Sequence, residues 1–216
     1  RMKKIPIAVL AGCLALVAGC WLPGVRGNGH IKIDDRKIDA FANIQASGAF
    51  VINWQNGPPT LRIKTDQNLF PYIESEVSGN TLRLRTREQI RPTHGITVTV
   101  ASPVREAAKI TGAVKLAASQ LTGPGFALEG TGASRISLDG NIDQLLADLT
   151  GASDLKAAAL QTKTAEISIQ GAGDAEVAVA EKLKVAIAGA GKVIYSGNPP
   201  TIEKHISGAG SIRHKD

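Results

Sequence analysis

The chain is poor in cysteine and in aromatic residues. It has two Cys, one Met, four Phe, two Trp and two Tyr in 216 residues. So few rings exclude an interior built mainly from large aromatic side chains. Both cysteines, Cys13 and Cys20, fall near the N-terminus. The body therefore has no thiol with which to form an internal disulfide, and its core must hold it. After the first twenty residues no long apolar run recurs, so the body does not read as helices crossing a bilayer. There is no basic block and no basic–aromatic interleaving, the pattern of nucleic-acid binders, so nucleic acid is not an expected partner. The four histidines, His30, His94, His205 and His214, share no short motif with Cys, Asp or one another, and no metal is expected. No Gly-x-Ser-x-Gly elbow is present. Gly171-Ala172-Gly173 and Gly189-Ala190-Gly191 are not followed by a third glycine opening a helix, so no dinucleotide loop is expected. On these grounds neither a cofactor nor an enzymatic activity is expected.

What is present begins at the N-terminus. Lys3 and Lys4 precede an uncharged, mostly aliphatic run over residues 5–19, which closes on Leu16-Val17-Ala18-Gly19-Cys20. That length suits a secretory h-region and falls short of the roughly 20 residues of a spanning helix. Small residues before a cysteine fit a narrow peptidase cleft, and the thiol can take a diacylglycerol. The arrangement is that of a bacterial lipobox. It predicts a signal peptide over 1–19, lipid attachment at Cys20, and a membrane anchor through that lipid. By resemblance to Gram-negative lipoproteins, Trp21 in place of Asp after the cysteine directs the expectation to the outer membrane. Arg1, Lys3 and Lys4 carry three of the net +6 charges, so the high isoelectric point belongs partly to the signal. Residues 20–33, with Pro23 and three glycines by Gly29, read as a lipidated tether. The domain proper is expected over 34–216.

Glycine is abundant, at 23 residues, and it recurs in phase. Gly-Ala stands at Gly112, Gly132, Gly151, Gly171, Gly189 and Gly208, at intervals of 20, 19, 20, 18 and 19. Four residues after each Gly the side chain is apolar: Leu116, Ile136, Leu155, Ala175, Val193 and Ile212. Two before it stand Ile110, Leu149, Ile169, Ile187 and Ile206, with Gly130 the exception. The position three after each Gly is polar throughout: Lys115, Arg135, Asp154, Asp174, Lys192 and Ser211. The segments between alternate with period two, which marks strands. A repeat near 19 is too short for helical hairpins, and the Leu/Asn signature of leucine-rich repeats is missing. The remaining architecture is all-β: a single chain coiled as a parallel β-helix, or β-solenoid, of about 18–20 residues per coil. Stacked coils turn equivalent residues into ladders about 4.8 Å apart. The Ala after each Gly is expected at a cramped corner, and the aliphatic rows in the bore. Residues 155–166 have helical propensity, but their place in the phased repeat favours strand. Regular repeats are expected over 111–214 and an irregular first half over 34–110, where 66–76 reads as a short helix or an inserted loop.

Several stretches together resemble a known family. They are Phe41-Ala42-Asn43-Ile44 with Ser47-Gly48-Ala49-Phe50-Val51-Ile52, Asp66-Gln67-Asn68-Leu69, and Gly79-Asn80-Thr81-Leu82-Arg83-Leu84. Ile96-Thr97-Val98-Thr99-Val100, Pro103 and the Gly-Ala repeats up to Gly210 complete the set. The chain resembles the auto-transporter adhesin head GIN domain family of bacterial envelope proteins, over about residues 35–214. The resemblance implies a right-handed parallel β-helix in the periplasm or at the cell surface. It carries over no catalytic residue.

The candidate site is the polar ladder itself, Lys115, Arg135, Asp154, Asp174 and Lys192, as a surface-binding face. Three roles fit it. One is an adhesin-like binding module for a protein or glycan. Another is a structural envelope protein that self-associates through its end coils, where the last strand leaves an open edge. The third is a glycan-active enzyme using Asp154 and Asp174 as paired carboxylates. Arg135 and Lys192 flank that pair and favour a charge-alternating surface over a catalytic one.

Overall fold

The computed structural model describes residues 24–215; the expected signal peptide 1–19 and Cys20 lie outside the described residues. The chain opens with β1 (Val25–Arg26) and β2 (Ile31–Arg36). β3 (Asn43–Gly48), β4 (Val51–Asn56) and β5 (Thr60–Asp66) follow. A 3-10 helix, Gln67–Tyr72, then occupies the stretch expected as a short helix or inserted loop. β6 (Ile73–Ser78), β7 (Thr81–Thr86), β8 (Ile90–Arg91), β9 (Thr97–Ser102) and β10 (Ala107–Gly112) come next. The strands then lengthen into β11 (Lys115–Gly132), β12 (Arg135–Gly151), β13 (Asp154–Gly171) and β14 (Asp174–Gly189). β15 (Lys192–Ser196), β16 (Thr201–Gly208) and β17 (Ser211–His214) finish the chain.

Strands β10 to β17 wind as stacked parallel coils, and the protein is a β-solenoid of about five turns. One sheet face carries, in order, β9, β4, β11, β12, β13, β14, β15 and β17, all parallel. A second carries β7, β3, β10, β11, β12, β13, β14 and β16, also parallel. The aliphatic rows read from the sequence line the bore. Leu116, Ile136, Leu155, Ala175 and Val193 are buried, as are Ile110, Leu149, Ile169 and Ile187. Each such Ile, Leu or Val contributes about 1.5–3 kcal/mol by leaving water. Gly130 keeps its place in the inward row; a methyl there would lie 3.1 Å from Leu149 Cδ2. Residues 155–166 are strand, with Leu155, Ala157, Leu160, Thr162 and Ala165 buried.

The Gly-Ala corner differs from its expected role. The alanines are not packed into a corner: Ala133, Ala152, Ala172 and Ala190 point outward and are exposed. What the repeat uses is their backbone. Ala152 N donates to Gly132 O at 2.8 Å, and Ala172 N to Gly151 O at 2.9 Å, carrying the ladder around the bend. The cramped inward position is one residue later, at Val114, Ser134, Ser153, Gly173 and Gly191, all buried. The glycine itself is required: Gly171 has φ 130°, and a Cβ on it would collide with Gly151 O.

The first half departs from pure parallel coiling. β2 pairs antiparallel with β5, β5 with β9, and β6 with β7. A hairpin reverses the chain within six or seven residues, whereas a coil returns only after a whole turn, so the Gly-Ala phase is lost there. The aromatic residues concentrate in this half. Trp54 is fully buried, stacked on Phe41 at 6.1 Å and tilted against Phe126 at 6.0 Å. Its indole N–H donates to Ser102 Oγ at 2.8 Å.

The expected tether 20–33 is folded from Val25 onward. β1 pairs parallel with β8, and Ile31 begins the antiparallel pairing of β2 with β5. The cause is Asp66, whose fully buried carboxylate accepts Gly29 N at 2.7 Å, Thr93 N at 2.8 Å and Thr93 Oγ1 at 2.9 Å. Gly27 passes so close that a side chain there would strike the Asp66 carboxyl. Asn68 reinforces the strap, accepting from Asn28 N at 2.9 Å and donating to Arg26 O at 2.7 Å.

Candidate functional site

Side chains alternate across each strand, so the residue three after a corner glycine faces outward, and so does the one five after it. Pairing of β4, β11, β12 and β13 lines these up as two rows. The first runs Val51, Lys115, Arg135, Asp154, and the second Asn53, Ala117, Ser137, Lys156. Ala117 and Ser137 are short, while Lys115, Arg135 and Lys156 are long. The rows therefore enclose a shallow groove of about 570 Å³, with Val51 exposed at one end and Lys156 at the other.

The structure brings Lys115, Arg135 and Asp154 of the expected ladder into this groove. It leaves Asp174 and Lys192 outside the lining. The two aspartates do stand in adjacent coils, since Leu155 pairs with Ala175, but each has its own contact. Asp154 faces Arg135 at 3.9 Å, and Asp174 accepts Lys192 N at 3.1 Å. Lys156 was absent from the sequence expectation, and so were Asn53 and Ser137. Counting five residues past each corner glycine, as well as three, finds Ser137 and Lys156.

The charge pattern of the groove differs from that of the other ladders. Elsewhere cations and carboxylates on neighbouring strands meet closely: Lys109 with Glu129 at 2.5 Å, Lys163 with Asp143 at 2.7 Å, Lys182 with Glu203 at 2.7 Å and Lys184 with Glu166 at 2.6 Å. In the groove three cations share one lining carboxylate, and that pair is long and exposed, at 70% and 45%. Glu176 stands beside Lys156 in the next coil, outside the lining.

Two charged side chains that the sequence did not single out hold the scaffold. Asp66 fixes the N-terminal strap. Burial pushes its carboxyl up, and the bonds from Thr93 and Gly29 outweigh that and hold it below the usual range. Arg105 is buried and donates to Ser119 O and Gln120 O. It thereby braces a bend where Gln120, at φ 56°, adopts the left-handed backbone otherwise left to glycine. Burial lowers the Arg105 pKa, and Asp139 partly offsets this. The four histidines are scattered over exposed positions. His94 Nδ1 bonds with Thr93 Oγ1 at 3.0 Å, and His214 Nε2 with Gly197 O at 2.8 Å.

A stack of parallel coils with polar outward ladders defines the class of protein: a parallel β-solenoid. A protein-family model described as "Putative auto-transporter adhesin, head GIN domain" matches residues 40–199, and the chain belongs to that family. Among solved structures, a "putative adhesin" from Bacteroides fragilis is similar with a TM-score of 0.72 at 20% identity, covering 89% of this chain and 100% of that one. A "Putative lipid binding protein" from Parabacteroides distasonis follows at 0.58 and 22% identity, covering 90% and 100%. A "putative adhesin" from Parabacteroides merdae gives 0.55 at 20% identity, covering 89% and 99%. At these identities the likeness shows the fold alone. The curated proteins contain no match.

Proposed function

We propose that the chain is an exported envelope lipoprotein, anchored through Cys20 in the outer membrane, whose solenoid serves as a non-catalytic, adhesin-like binding module. The observation that carries this reading is the groove over β4, β11, β12 and β13. It is a rigid, solvent-open surface with cations in excess, built on strands whose positions the ladder fixes. Membership of the adhesin-head family supports it, and so does the basic–apolar–small–Cys order of residues 3–20. Fractionation of cells making the wild type or Cys20→Ala, with protease added outside, tests it. The expected result is a wild type in the outer membrane and a Cys20→Ala protein released from it. An unchanged location and mass in Cys20→Ala would overturn the lipid anchor.

A second reading, self-association through the end coil, rests on β16. It pairs with β14, and every residue of the strand is exposed. Concentration-dependent sedimentation of the purified chain would support it.

A further inference from the structure

We infer that the groove lined by Lys115, Arg135 and Lys156 binds an acidic polysaccharide, with carboxylates of the glycan supplying the close ion pairs that these three cations do not make within the ladder. The inference rests on the binding-module reading above and adds the class of ligand.

Three features carry it. The first is the charge imbalance. In four other ladder pairs a lysine meets a carboxylate at 2.5–2.7 Å. Here, among the described residues, Lys115 and Lys156 make no ion pair, even though Glu176 stands beside Lys156 in the next coil, and Arg135 holds Asp154 only at 3.9 Å. A guanidinium and two ammonium groups so arranged are open to carboxylate oxygens from outside, the guanidinium in bidentate fashion. The second is shape. Ala117 and Ser137 keep the middle of the groove low along the stacking direction, so an extended chain can lie across several coils. The third is rigidity. The cations sit on paired strands of neighbouring coils, with rows spaced about 4.8 Å apart. A polymer with regularly placed charges then meets a preorganised row, and little ordering entropy opposes binding.

Asp154 has a specific part in this. It is the competing anion inside the groove, and a bound glycan carboxylate displaces it from Arg135.

The test is direct titration of the purified protein with polygalacturonate, at low and at physiological salt. Neutral dextran, inorganic phosphate and phosphatidylglycerol vesicles serve as the other probes. Binding of polygalacturonate that weakens with salt, and no binding of dextran, are expected. Lys115→Gln and Lys156→Gln should each weaken it about three- to tenfold, and the pair together with Arg135→Gln should abolish it. Asp154→Asn should tighten it. Lys182→Gln, which breaks a ladder pair on another part of the surface, should leave it unchanged. A wild type that ignores polygalacturonate, or affinity unmoved by the three groove substitutions, overturns the inference. Vesicle or phosphate binding without polygalacturonate binding overturns the glycan class. These failures leave the envelope-lipoprotein reading standing, because that reading is judged by the location of the wild type and of Cys20→Ala.

Discussion

The Lys204 ammonium lies 5.7 Å from the centre of the Tyr195 ring, over its face. This places a charge in an inward row. Lys204 pairs with Val185 in the coil beneath, and Val185 is buried. Its row neighbours Ile202 and Ile206 are 36% and 42% exposed, with no further coil over them among the described residues. β16, outermost on its face among the described residues, thus has an apolar edge interrupted by a cation. Docking two copies antiparallel with Ile202 opposite Ile206 sets Lys204 against its own copy, which disfavours that pairing. Lys204→Val removes the obstacle and continues the aliphatic row. The variant is expected to dimerise at concentrations where the wild type sediments as one species. Identical sedimentation of the two would show that Lys204 does not guard this edge.

Acid should open the N-terminal strap before the coils. The Asp66 pKa is depressed in the folded chain. Its contribution is therefore complete above the unfolded value, about 3.9, and is lost as pH falls through the lower folded value. Hydrogen exchange of residues 25–36 should accelerate in that window while β12 and β13 stay protected. Asp66→Asn should show the fast exchange already at neutral pH. It replaces an acceptor by a donor opposite Gly29 or Thr93, at a cost of about 1–3 kcal/mol.

The two residues of each repeat corner should differ sharply in their tolerance of substitution. Gly151→Ala forces a Cβ onto a backbone at φ 92° and against Gly132 O. A loss of about 1–3 kcal/mol is expected in chemical denaturation. Ala152→Ser changes an exposed side chain and keeps the N–H that bonds Gly132 O. Its effect should stay within about 0.5 kcal/mol.

Trp54 joins the irregular half to the first regular coil, touching both Phe41 and Phe126. Trp54→Ala should cost about 3–5 kcal/mol. Trp54→Phe keeps the ring stack but leaves Ser102 without its indole donor, and should cost less. Denaturant midpoints with unchanged slope would measure both; equal losses would show that ring contact is not what matters there.

The regular coils were legible because a ladder repeats its physics. The positions of Leu116, Ile136 and Leu155 are chemically equivalent, and six phased copies reveal which way each faces. The Ala position resists such a reading because what the corner uses there is a backbone N–H, which any residue but proline supplies and residue identity does not display. The first half was harder for a different reason. Antiparallel partners such as Ile31 with Asp66, or Ile73 with Thr86, meet once and leave no periodic trace. The groove was half visible. Lys115, Arg135 and Asp154 share one repeat position, but Lys156 belongs to another, and only the pairing of β12 with β13 brings it alongside.

The knot at Asp66 also decides how the molecule bears tension. A pull on the N-terminus, the side from which an anchor at Cys20 would act, first meets the bonds from Val25 N to Gln89 O and from Gly27 N to Arg91 O. It then reaches the carboxylate that holds Gly29 and Thr93. Until that knot yields, β2 stays zipped to β5 and the load spreads into the sheet. Once it yields, residues 25–36 peel away and lengthen the leash, while the coils that carry the groove keep their shape. On this geometry the N-terminal end gives way first, away from the coils that carry the groove.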